Sequence, residues 1–108
     1  MPQPKSHEII SYGYVYKITF PNGKIYIGAD YGRNASLDVI SYFGSYQNKQ
    51  AVLDDHLELL EATKTFTVKK ELIFEAKDCT PASIRLKETE LIRSHHATDP
   101  SIGYNLKH

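Results

Sequence analysis

The sequence is short of cysteine, of net charge and of long apolar runs. One cysteine in 108 residues, Cys79, allows no internal disulfide. It also excludes a cysteine-based zinc site, which needs two or more thiolates. A reducing compartment, cytoplasmic or otherwise intracellular, is therefore expected. Thirteen basic residues meet thirteen acidic ones, a formal net charge of zero. That balance does not argue for nucleic acid, and it does not exclude it, because phosphate binding needs only a local basic patch. No apolar run approaches the roughly 20 residues of a membrane span, so no membrane partner is expected. The opening MPQPKSHEII lacks the apolar core of a signal peptide. There is no repeat, low-complexity segment or domain linker.

What is present is ordinary soluble material, 41% hydrophobic and 24% charged. The length suits one domain with a single modest core. Residues 1–8 are polar with two prolines; 1–10 are expected to form a flexible N-terminal tail, and 11–108 a single domain.

The strongest pattern is YVYKITFPNGKIYIGAD at residues 14–30. Tyr12, Tyr14, Tyr16, Ile18 and Phe20 alternate with Gly13, Val15, Lys17 and Thr19, a strand signature, and KIYIG is a second, shorter strand. Pro21-Asn22-Gly23 suits a three-residue loop, a type I turn closed by a left-handed glycine. That loop pairs Phe20 with Lys24, Ile18 with Tyr26 and Tyr16 with Gly28. Tyr16 and Tyr26 then lie diagonally on one face. A two-residue Asn-Gly turn would put them on opposite faces. Proline at the start of a type I turn favours the first register.

Beyond the hairpin, ASLDVISYF reads as a short helix with Asn34 or Ser36 near its cap and Gly44 at its end. Residues 48–62 place Val52, His56, Leu59 and Leu60 at helical spacing, with Leu53 and Leu57 beside them and a solvated acidic face. FTVKKELIFE, from Phe66 to Glu75, reads as a third strand. Thr80-Pro81 opens a last helix that runs to about His95 or His96, with threonine as cap and proline in the first turn. The order ββααβα predicts an α+β fold, a three-stranded, mainly antiparallel sheet flanked by helices.

Four features carry candidate chemistry: a tyrosine on each hairpin arm, IG after the second, Glu88 on the last helix, and GYN at 103–105. Singly, each has an ordinary reading as packing, a solvated glutamate or a turn. Three other features read as structure. His95 and His96 are adjacent on a helix, about 100° apart, and are not placed to chelate one ion. His56 lies among apolar positions as a satisfied buried or half-buried histidine, and Cys79 has no base or positive cluster beside it in sequence.

Taken in order, the four features resemble the GIY-YIG nuclease superfamily. YVYKI is similar to its first motif and IYIG to its second, so the motif tyrosines fall on Tyr16 and Tyr26. LKETELI resembles the helix that presents the metal-binding glutamate, here Glu88. IGYNL resembles the C-terminal segment with its asparagine, here Asn105. The resemblance covers about residues 12 to 106.

The resemblance implies a metal-dependent endonuclease that hydrolyses DNA phosphodiester bonds with a single divalent ion, Mg²⁺ or Mn²⁺, held by Glu88. Such an ion keeps several waters, polarises the phosphate and stabilises the leaving oxygen. A phenol near a metal or a lysine has its anion favoured, so Tyr16 is expected to accept the proton of the attacking water. Tyr26 would orient that water or the phosphate. Gly28 would allow close backbone approach. Asn105 would tie the last segment to the site.

The chain departs from the family pattern in two places. Tyr14 stands where the first motif begins with glycine. More important, the family's phosphate-binding arginine on the first helix is matched by Asp38, four residues before Tyr42. Arg33 in the preceding loop is the expected substitute, with Tyr42 following it; Lys69, Lys70 or Arg85 is the alternative source of charge. Losing one preorganised phosphate contact costs on the order of 3 kcal/mol in the transition state, about a hundredfold in rate. The competing expectation is therefore a catalytically inactive nucleic-acid-binding module of the same fold. A third is an unrelated small α/β domain with the tyrosines as core. DNA is the expected partner, with specificity from the domain itself, a partner protein or a homodimer.

Overall fold

The computed structural model describes residues 10–32, 34–43 and 48–107. It contains β1 (Ile10–Thr19), β2 (Ile25–Tyr31), α1 (Ala35–Ser41), α2 (Lys49–Thr63), β3 (Lys69–Cys79) and α3 (Pro81–Ser94). The three strands form one antiparallel sheet in the order β2-β1-β3. The expected α+β architecture and element order are present. Among the described residues, no helix is long and apolar enough to cross a membrane.

The hairpin turn has the three-residue form. Gly23 donates to the Phe20 carbonyl at 2.8 Å, and Phe20 donates to the Lys24 carbonyl at 2.9 Å. Gly23 has φ +88°, the left-handed conformation that closes such a loop. Ile18 therefore faces Tyr26, and Tyr16 faces Gly28.

Strand alternation divides the core between two faces. Tyr14, Tyr16, Ile18 and Phe20 are buried on one, with Ala35 of α1, Val52 of α2 and Tyr104. Val15 and Ile27 are buried on the other, under Ile92 of α3 and Ala97. α3 starts where Thr80 and Ser83 exchange side-chain-to-backbone bonds, both 3.1 Å, in a capping box.

Two boundaries differ from the sequence reading. β3 begins at Lys69, not Phe66, because its partner β1 stops at Thr19, opposite Lys69. It continues past Glu75 to Cys79 because β1 reaches back to Ile10. Phe66 packs instead on Phe20 and His56, with ring centroids 6.2 and 5.1 Å apart. α2 buries only Val52 and His56, and Leu53, Leu57 and Leu59 are exposed. The helix lies against the hairpin turn and not along a strand, so its contact stripe is narrow. α1 ends at Ser41, two residues before Phe43. Gly44, expected to end that helix, lies outside the described residues, as do residues 1–9.

His56 is buried with both ring nitrogens satisfied. Nδ1 lies 2.7 Å from the Val52 carbonyl, and Nε2 accepts from the Asn22 backbone N–H at 3.3 Å. Only the Nδ1–H tautomer serves both partners.

Candidate functional site

A strand at the edge of a sheet presents unpaired backbone groups that must be covered or solvated. β2 is such an edge, and the C-terminal segment and α3 cover it. Ile25 donates to the Ile102 carbonyl at 3.0 Å and accepts from Tyr104 N–H at 2.8 Å. Two residues on, the Asn105 carboxamide takes both groups of the Ile27 peptide. Two residues further, the Ala29 backbone hydrogen-bonds the Glu88 carboxylate. Asn105 and Glu88 thus reach the same strand edge one pleat apart.

Between β2, α3 and the C-terminal segment lies a cleft of about 410 Å³, lined by Tyr26, Arg85, Glu88, Thr89, Asn105 and Lys107 among others. Glu88 is half-buried, and burial pushes its carboxyl above the usual range. The Ala29 hydrogen bond and the Arg85 charge act against that rise. Tyr26 is pushed up to about 12, first by burial and then by the charges of Glu88 and Tyr42.

Tyr16 stands behind Tyr26, with ring centroids 6.4 Å apart. It is only 1% exposed and does not line the cleft. Tyr42 meets Tyr16 edge-on at 6.1 Å. Burial raises the Tyr16 phenol far above its ordinary value, and the Tyr26 and Tyr42 groups add to the rise. Gly28 is needed for this arrangement, because a Cβ there would run into the Tyr16 hydroxyl and ring. The close approach that Gly28 permits is therefore that of a tyrosine of the same chain.

The structure brings Tyr16, Tyr26, Tyr42, Gly28, Glu88 and Asn105 into one region. Arg33 lies outside the described residues. Asp38, at the position matched to the family's arginine, pairs with Asp30 of β2. Burial and the Asp38 hydrogen bond and charge raise the Asp30 carboxyl, and the Tyr14 hydroxyl donates to Asp30 at 3.2 Å.

The other basic candidates separate clearly. Lys69 is exposed beside Glu71, 3.8 Å away. The Lys70 ammonium lies over the Tyr14 and Tyr16 rings, 4.9 Å from each centroid. It donates to the Tyr14 hydroxyl and to the Asp38 and Tyr42 carbonyls, so it holds the end of α1 against the sheet. Arg85 stands on the cleft wall and donates to the Tyr31 hydroxyl at 3.0 Å. Sequence reasoning missed Asp30 and the use of Lys70. No local signal marks either, since their partners come from other elements.

Among the described residues, no three His, Cys, Asp or Glu side chains gather into a metal cage. Among the described residues that line the cleft, Glu88 is the one carboxylate. That donor fits Mg²⁺ or Mn²⁺, which keep waters and take one or two carboxylates plus substrate oxygens. A cation at this carboxylate would also relieve the penalty that burial places on its charge.

Comparison with protein-family models, curated proteins and solved structures finds no match to this chain.

Proposed function

We propose that the chain is a metal-dependent endonuclease that hydrolyses DNA phosphodiester bonds at the β2–α3 cleft. The observation that carries this reading is the meeting of Tyr26, Glu88 and Asn105, from three separate parts of the sequence, around one cleft. Their order along the chain is also the order of the GIY-YIG motifs that the sequence resembles.

Glu88 would hold a single Mg²⁺ or Mn²⁺, which when bound polarises the phosphate and eases departure of the leaving oxygen. Tyr26, on the cleft wall, is the phenol that meets the attacking water or the phosphate. Its pKa of about 12 suits a hydrogen-bond donor at neutral pH, and a neighbouring positive charge would favour its anion. Tyr16, buried behind it, packs against the Tyr26 and Tyr42 rings and hydrogen-bonds the Tyr42 hydroxyl. Asn105 locks the C-terminal wall of the cleft to β2. A DNA substrate suits an intracellular site of action, and the single buried Cys79 suits a reducing one.

One observation favours a second reading, a non-catalytic DNA-binding module. Asp38 pairs with Asp30 where a phosphate-binding arginine would serve a nuclease. Nicking of supercoiled DNA in Mg²⁺ or Mn²⁺ separates the two. Native protein is expected to nick, and Glu88→Gln to lose that activity. Equal nicking by both would reject the assignment, and salt-sensitive binding without any nicking would favour the module.

A further inference from the structure

We propose that Arg85 is the cation that receives the phosphodiester in this cleft, in place of a cation on the first helix. The proposal rests on the nuclease reading of the same cleft and goes beyond it by naming the phosphate-binding group.

A phosphodiester entering the cleft meets the negative charge of Glu88 and needs a positive group on the same wall. Four described lysines of the sheet and hairpin are committed elsewhere. Lys17 and Lys69 lie beside Glu71 at 3.7 and 3.8 Å. Lys24 bonds Asp55 at 3.2 Å. Lys70 is enclosed by three carbonyl and hydroxyl acceptors and by tyrosine rings. α1 is not the source, because its residues Ala35–Ser41 include no lysine or arginine.

Arg85 differs from all of these. It lines the cleft with Glu88 and is exposed to solvent. It precedes Glu88 by three residues on α3, so the two side chains are neighbours on one helix face. Its charge is felt by the Glu88 carboxyl. The Tyr31 hydroxyl accepts one bond from Nη1 at 3.0 Å, which steadies the guanidinium and leaves further N–H donors for a ligand. A guanidinium offers the paired, planar donors that two phosphate oxygens accept best. Lys107 of the C-terminal segment also lines the cleft.

The test reads binding as well as cleavage. Fluorescence anisotropy with a labelled DNA duplex carrying single-stranded tails, in EDTA, measures phosphate contact without metal. Arg85→Ala is expected to weaken binding about tenfold and to lower the magnitude of the salt slope by about one. Arg85→Lys keeps the charge without the fork and is expected to keep the slope while losing part of the affinity. Lys69→Ala is expected to bind as the native protein does. In Mg²⁺, Arg85→Ala nicking should fall about a hundredfold. Native affinity and native salt slope in a folded Arg85→Ala protein, verified by circular dichroism, would overturn the proposal. If native protein never nicks but Arg85→Ala still loses affinity and slope, the phosphate site stands and the nuclease reading falls.

Discussion

The Asn105 carboxamide pairs with the Ile27 peptide as a neighbouring strand would. Its Oδ1 accepts from the Ile27 N–H at 2.9 Å, and its Nδ2 donates to the Ile27 carbonyl at 2.8 Å. One buried side chain therefore satisfies two edge groups of β2 and anchors the segment that forms one wall of the cleft. Asn105→Ala would leave both Ile27 groups without a protein partner. An unsatisfied buried group costs about 1–3 kcal/mol, so a loss of about 2–4 kcal/mol is expected in urea denaturation. A loss under about 0.5 kcal/mol would mean that water replaces the carboxamide freely.

Gly28→Ala tests the stacking of the phenols. The new methyl group meets the hydroxyl and ring of Tyr16, which is enclosed by Tyr14, Tyr26 and Tyr42 and has little room to turn. Overpacking of this kind costs about 1–3 kcal/mol. A lower melting temperature and altered near-ultraviolet tyrosine circular dichroism are expected together. A variant with native values in both would show that Tyr16 moves aside without resistance.

Glu88 should weaken the free protein while it serves the cleft. Burial raises its folded pKa above the unfolded value, so folding favours the protonated form. Its contribution is therefore best below the unfolded pKa and declines as pH rises through the folded one. At neutral pH in EDTA, Glu88→Gln is expected to melt higher than native protein, since the amide oxygen still accepts from Ala29 without the charge. Added Mg²⁺ should raise the melting temperature of native protein and leave Glu88→Gln unmoved. Equal Mg²⁺ shifts in both proteins would remove Glu88 as the ion's holder.

Asp55 gives the opposite pH dependence. The Tyr104 hydroxyl donates to it at 2.7 Å and the Lys24 ammonium at 3.2 Å, tying α2 to the C-terminal segment and the hairpin. These bonds, Tyr104 first, hold its carboxyl below the usual range. A depressed folded pKa stabilises above the unfolded value, about 3.9, and that stabilisation is lost as pH falls through the folded one. The pair is exposed, so the amount is small, about 0.2–1 kcal/mol. Native protein should exceed Asp55→Asn in denaturant midpoint near neutrality, and the gap should narrow as pH falls below the unfolded value. A gap that does not change with pH would assign the effect to packing.

The features legible in the sequence are those set by neighbours along the chain. Turn chemistry at Pro21-Asn22-Gly23 chose the hairpin register and, with it, the shared face of Tyr16 and Tyr26. Thr80-Pro81 marked the start of α3, although the return bond from Ser83 was not foreseen. The leucines of α2 misled, because helical periodicity shows which residues share a face but not whether anything packs on it. Asn105 was legible as a tie for the last segment, but its two bonds to Ile27 were not.

The sequence by itself determined the two-strand register, the order of elements and the spacing that sets Arg85 one turn from Glu88. Each follows from local sterics and hydrogen bonding over a few residues. Only the tertiary structure decided which charges stand where. It enclosed Lys70 among tyrosines, joined Asp38 to Asp30, buried Tyr16 and left Arg85 on the cleft wall. The partners in those contacts come from different elements, and the energy of a charge depends on the burial and neighbours that packing alone provides.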